Sequence, residues 1–170
     1  MRPLPLIVTT LCALVMIGGL VGYHVEGVVE DVPIPPQGVA VGVGDDPLPE
    51  MPVSGMLANA EATLTWDADV WMGVVDGDEA NRCRPVTSFC SAAGMDFAAG
   101  GADTQDDREL VWEVEQGTWY PSVGQAGGSG AGATFTVNYD VHITLGWPVL
   151  TLLGLIGTAS AAFAFPGLRP

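Results

Sequence analysis

All twenty acidic residues of this chain fall between Glu26 and Asp140, and outside that stretch the only Lys or Arg side chains are Arg2 and Arg169. A charged side chain at the centre of a bilayer is costly and needs a partner or water, so a chain sorted in this way is suited to two media. The expected arrangement is two membrane-buried ends holding an acidic domain on one side of a bilayer.

Residues 24–141 set twenty carboxylates against Arg82, Arg84 and Arg108, a net charge of −17, and the two flanking arginines bring the whole chain to −15. Lysine is absent. No basic patch is left to neutralise phosphates, which disfavours nucleic-acid binding and attachment to an anionic lipid surface. An acidic, lysine-free surface suits high-salt surroundings and equally suits an ordinary acidic secreted domain.

From Leu4 to Tyr23 the chain is apolar apart from two threonines. Its length matches the roughly 30 Å hydrocarbon span. A cleaved signal peptide competes with this reading, but the apolar run exceeds the ~7–15 residues of a signal core, and no small-x-small cleavage site follows it. The second run, Ile143 to Phe165, is uncharged throughout. Trp147 at its edge suits the interface, and Pro148 suits a first helical turn. By the positive-inside rule Arg2 and Arg169 put both termini in the cytoplasm, with 166–170 as a short tail and the acidic domain extracytoplasmic. Gly18 and Gly22 in the first run, and Gly154, Gly157, Thr158, Ala161 and Ala162 in the second, form small surfaces that let helices approach closely. Such residues are also simply common in membrane helices.

The intervening segment is long enough for one domain. Residues 24–55 contain Pro33, Pro35, Pro36, Pro47, Pro49 and Pro52, which exclude a helix and predict a stalk or edge strand, with any strand confined to Val39–Val43. Beyond Met56 the pattern alternates. Ala60, Ala62, Leu64 and Trp66 share one face; Val70 to Val75 follows. Leu110, Trp112 and Val114 share another face, with Val111 as the exception, and Trp119, Tyr120 and Val123 suggest a hairpin return. A Gly-rich loop leads to the clearest strand, in which Phe135, Val137, Tyr139, Val141, Ile143 and Leu145 alternate with polar residues. One apolar face per strand implies antiparallel sheets packed face to face. The expected fold is an all-β ectodomain over residues 56–142, a jelly-roll-like β-sandwich flanked by two transmembrane helices, with no helix outside the membrane.

Cys83 and Cys90 lie close together in a polar segment on the expected oxidising side, which predicts a disulfide. A metal pair is the alternative, without further Cys or His ligands nearby. Cys12 is expected to be an apolar filler. Asp76, Asp78 and Glu79, and likewise Asp103, Asp106 and Asp107, place carboxylates on turns that could converge on Ca²⁺, although a solvated turn explains them equally and no EF-hand pattern is present. His24 and His142 stand just outside the two runs, so paired helices would bring them together beside Glu26 and Asp140 as a transition-metal or proton-sensitive site. No nucleophile has a recognisable base partner, and Gly127 to Gly132 lacks the Lys and helix of a phosphate loop. No enzymatic activity and no cofactor are expected.

The run Leu110-Val-Trp-Glu-Val-Glu-Gln-Gly-Thr-Trp-Tyr, followed by a Gly-rich loop, a long strand and an apolar span, resembles the GOLD domains of emp24-type membrane proteins. The resemblance covers roughly Arg108 to Phe165. It implies a non-enzymatic module that binds other membrane-protein subunits or surface proteins. The chain departs from that family in lacking a coiled coil before the span and a sorting signal after it. The expected function is an accessory or assembly subunit that displays a sandwich for protein interaction, and the alternative is an extracytoplasmic metal-binding or sensory module.

Overall fold

The computed structural model of the chain describes residues 3–35, 41–49, 57–84, 90–125 and 133–164. Among these residues are two four-stranded sheets and three α-helices, and two of the helices, α1 (Pro3–Val21) and α3 (Trp147–Ala164), are long and apolar enough to cross a membrane. The chain divides into two compact units: residues 1–24, 53–60 and 142–170 form one, and 25–52 with 61–141 form the other.

In the first unit α1 and α3 lie against each other. A Cβ at Gly157 would sit 3.4 Å from the Cβ of Cys12, and Thr9 donates its hydroxyl to the Gly157 carbonyl at 3.3 Å. Cys12 is buried there as an apolar filler, as its sequence context implied. Both helices are shorter than their apolar runs. α1 stops at Gly22, whose φ of +76° suits a glycine C-cap and whose N–H reaches the Gly18 carbonyl at 3.0 Å. At the other end β8 (Thr134–Leu145) takes Ile143 and Leu145 from the expected span, so the helix begins only after Gly146. Gly146 donates to the Leu57 carbonyl at 2.9 Å, and Pro148 occupies the first turn of α3.

In the second unit the sheets face each other. One has the order β1 (Tyr23–Pro33), β8, β3 (Ala58–Trp66), β6 (Glu109–Glu113); the other has β2 (Val41–Val43), β7 (Trp119–Gly124), β4 (Trp71–Asp76), β5 (Ala99–Gly100). β3 pairs antiparallel with β6, and β4 pairs antiparallel with both β5 and β7. The expected apolar rows are inside: Ala62, Trp66, Leu110, Trp112, Phe135, Val137 and Val141 are buried, whereas Val111 is exposed on the polar face. β4 is buried on both faces, and its polar backbone is matched by Thr104, whose hydroxyl serves both N–H and C=O of Met72, at 3.1 and 3.0 Å.

Three expectations change. β1, an eleven-residue strand, lies at a sheet edge in the segment expected to be a stalk or edge strand, but outside the Val39–Val43 run to which any strand was confined; Val39 and Ala40 lie outside the described residues, and β2 covers the rest of that run. β6 and β7 are no hairpin, because they belong to different sheets. The solvent-exposed turn between them passes from one sheet to the other, with Trp112 and Trp119 in edge-to-face contact at 5.7 Å. A helix also lies outside the apolar spans: α2 (Gly77–Cys83) packs Ala80 and Cys83 into the core formed by Val41, Trp71 and Val75. Its end is tied by the Cys83–Cys90 disulfide, and Arg84 stacks 4.6 Å over the Tyr120 ring while donating to the Gly44 carbonyl.

Two stability outcomes follow. Replacing both Cys83 and Cys90 with alanine lowers unfolding free energy by about 2–3 kcal/mol, the loop-entropy value for so short a closure, read from denaturant midpoints in detergent. Gly100→Ala costs about 2–4 kcal/mol in the same assay, since its φ is +70° and the added methyl collides with the Leu110 side chain and the Met72 carbonyl.

Candidate functional site

The acidic turn at Asp76 is a helix start. Asp76 ends β4 in an extended conformation and accepts the Glu79 N–H on Oδ1 at 2.7 Å, as an N-cap does. Glu79 then accepts both Nε and Nη2 of Arg82 and the backbone N–H of Asp96, while Arg82 also donates to the Gly94 carbonyl at 2.9 Å. The Arg82 guanidinium holds the Glu79 carboxyl below the usual carboxylate range, against the opposing pull of burial. Two of the three carboxylates considered for Ca²⁺ are therefore committed to capping and cross-linking, and Asp78 lies in the first turn, where a negative charge favours the helix.

His24 and His142 do come together. Their rings stack with centroids 4.3 Å apart and planes within 14°. His142 Nε2 lies 3.1 Å from the Val21 carbonyl, an acceptor to which an Nε2–H tautomer donates. Asp103 lies in a 3₁₀ turn at 102–105 that Asp106 ends. Among the described residues no three His, Cys, Asp or Glu side chains are grouped to hold a metal ion.

Two concavities in the second unit were not legible in the sequence. One is a cleft of about 540 Å³ where Asp76, Asp96, Glu113 and Glu115 meet the Trp112 and Trp119 rings. All four carboxylates are solvent-exposed, which fits the acidic coat of the domain.

The other is a cavity of about 360 Å³ between the sheets, lined from one side by Leu64 and Val137 and from the other by Met72 and Val123. Residues of β1 and β2 flank it, including Val29 and Val43, and among the described residues that line it no side chain carries a nitrogen or oxygen. The two outer edges of the sheets thus differ. At β5 and β6, Leu110 fills the space directly over Gly100; at β1 and β2, an apolar space is left. Water finds no side-chain partners there, and ordered water needs two to four polar contacts.

β1 itself is the third feature. It is an edge strand exposed along almost its whole length, with Val25, Val28 and Val29 at 38%, 56% and 48% exposure. The valines are spaced irregularly and interrupted by Glu26, Glu30 and Asp31, so no period of two marks the strand. Asp31, at a φ of +59°, breaks its regularity further.

Asp76→Ala should lower stability by about 1 kcal/mol by removing the cap, seen as a lower urea midpoint. The depressed Glu79 value means its contribution is complete above the ordinary carboxylate range and is lost as pH falls through the native value. Glu79→Gln should therefore show a shallower loss of stability on acidification than the parent protein, and parallel pH profiles would remove Glu79 from the account.

No protein-family model, characterised protein or solved structure matches this chain, so its function is argued from its own geometry.

Proposed function

We propose that this chain is a membrane-anchored, non-enzymatic binding module, an accessory or assembly subunit whose edge strand β1 receives a strand of a partner protein. The observation that carries the reading is the exposure of β1. A long edge strand with open N–H and C=O groups and solvent-facing valines is a template for another strand, and soluble proteins ordinarily cover or shorten such edges. Glu26 and Glu30 lie on the same strand. Two copies of β1 meeting edge to edge would oppose these carboxylates, so the favoured partner is a different chain whose strand carries Lys or Arg.

The setting belongs to the same proposal. α1 and α3 cross the bilayer, Arg2 and Arg169 stay on the cytoplasmic side, and the acidic domain is extracytoplasmic. Two apolar helices and a disulfide support this topology. The two facing sheets support a sandwich of jelly-roll type.

The test is purification of the full chain in mild detergent with identification of co-purifying proteins, repeated with Val28→Asp. The variant should retain its thermal midpoint and lose at least about tenfold of the partner, as interface substitutions of this kind do. A chain that purifies alone, or a variant that keeps its partner, would sink the proposal.

A further inference from the structure

We propose that the cavity between β1 and β2 binds one long aliphatic chain, the hydrocarbon tail of a lipid. Its lining sets the chemistry. Val29, Val43, Leu64, Met72, Val123 and Val137 present only methyl, methylene and thioether groups, and the other described lining residues are likewise aliphatic, proline or glycine. A sugar, nucleotide or polar peptide would lose its hydrogen bonds to water here and regain none from side chains. Among the described lining residues there is no aromatic ring on which a flat ligand could stack. A flexible hydrocarbon loses nothing by this and gains burial over its whole length.

Size agrees with chemistry. The volume of about 360 Å³ lies within the range of small-molecule sites and holds roughly a dozen groups of about 30 Å³ each, the length of a substantial part of an acyl or isoprenoid tail. The wall is built for adaptable contact, since Met72 is unbranched and reorients at low cost. The same chain carries two helices apolar enough to enter a bilayer, which would give the protein access to lipid. The site shares Val29, Val32 and Pro33 with β1, whereas strand pairing uses the outer backbone edge of that strand, so the filling variants and the photolabel read the cavity apart from the partner protein.

The experiment uses the full chain in phosphatidylcholine nanodiscs with hexadecanoic acid bearing a diazirine near its terminal carbon, photolysed and mapped by peptide mass spectrometry. Adducts on α1 and α3 report ordinary lipid contact and serve as the internal reference. Adducts should also appear on peptides of β1, β2 and β7, and excess unlabelled hexadecanoic acid should suppress them. Val137→Phe and, separately, Leu64→Phe fill the space, and each should reduce the sheet adducts at least tenfold with the helix adducts unchanged. The thermal midpoint should hold or rise in at least one of the two, because a larger side chain replaces unfilled space. Should both variants unfold, Val43→Phe at the flank provides the same reading. Adducts confined to the helices mean that the protein itself or a partner peptide closes the space, and sheet adducts that survive a folded filling variant place the lipid elsewhere. Either result overturns the site.

Discussion

The pairing of the chain's two ends is the interaction on which the rest of the molecule depends. α1 and α3 meet through small residues, with Cys12 and Thr9 against Gly157, and each helix passes into a strand through one residue, Gly22 at one junction and Gly146 at the other. The two strands that follow, β1 and β8, are neighbours in one sheet. The stack of His24 on His142 stands where this pairing passes from helix to strand. A slip of one residue in a strand would exchange its buried and exposed faces, and short glycine junctions leave little slack for such a slip.

The second unit closes unequally. At β5 and β6 the sheets come into direct contact over Gly100, where only a residue without a side chain permits Leu110 to enter. At β1 and β2 the space between them is apolar and unfilled by side chains of the lining. Both features that suggest binding, an uncovered strand edge and an apolar cavity, occur along this side. The charged coat contributes differently: Asp76 and Glu79 organise α2, and the exposed carboxylates keep the surface solvated and like copies apart.

Legibility followed the physics of each element. β3, β6 and β8 were readable because each is buried on one face, so Ala62, Leu110, Trp112, Phe135 and Val137 recur with a period of two. β1 was unreadable because it is buried on neither face, and selection for alternation is absent where nothing is covered. The hairpin expected after Trp112 failed for another reason: local turn residues mark a reversal but carry no information about whether the returning strand rejoins its own sheet. α2 was hidden within an acidic cluster, where the capping role of Asp76 and the reach of Glu79 to Arg82 and Asp96 look in sequence like ligands for a cation.

The sequence by itself determined the two apolar spans, the acidic intervening domain, the strand faces and the Cys83–Cys90 bond, because hydropathy, side-chain period and cysteine spacing are local quantities. Only the tertiary structure decided the sheet order, the exposed position of β1, the stacking of His24 on His142 and the cavity beside Leu64 and Val137. These depend on contacts between residues far apart in the chain. Such contacts are set by how the faces fit together, and no single face encodes the space that is left when they do.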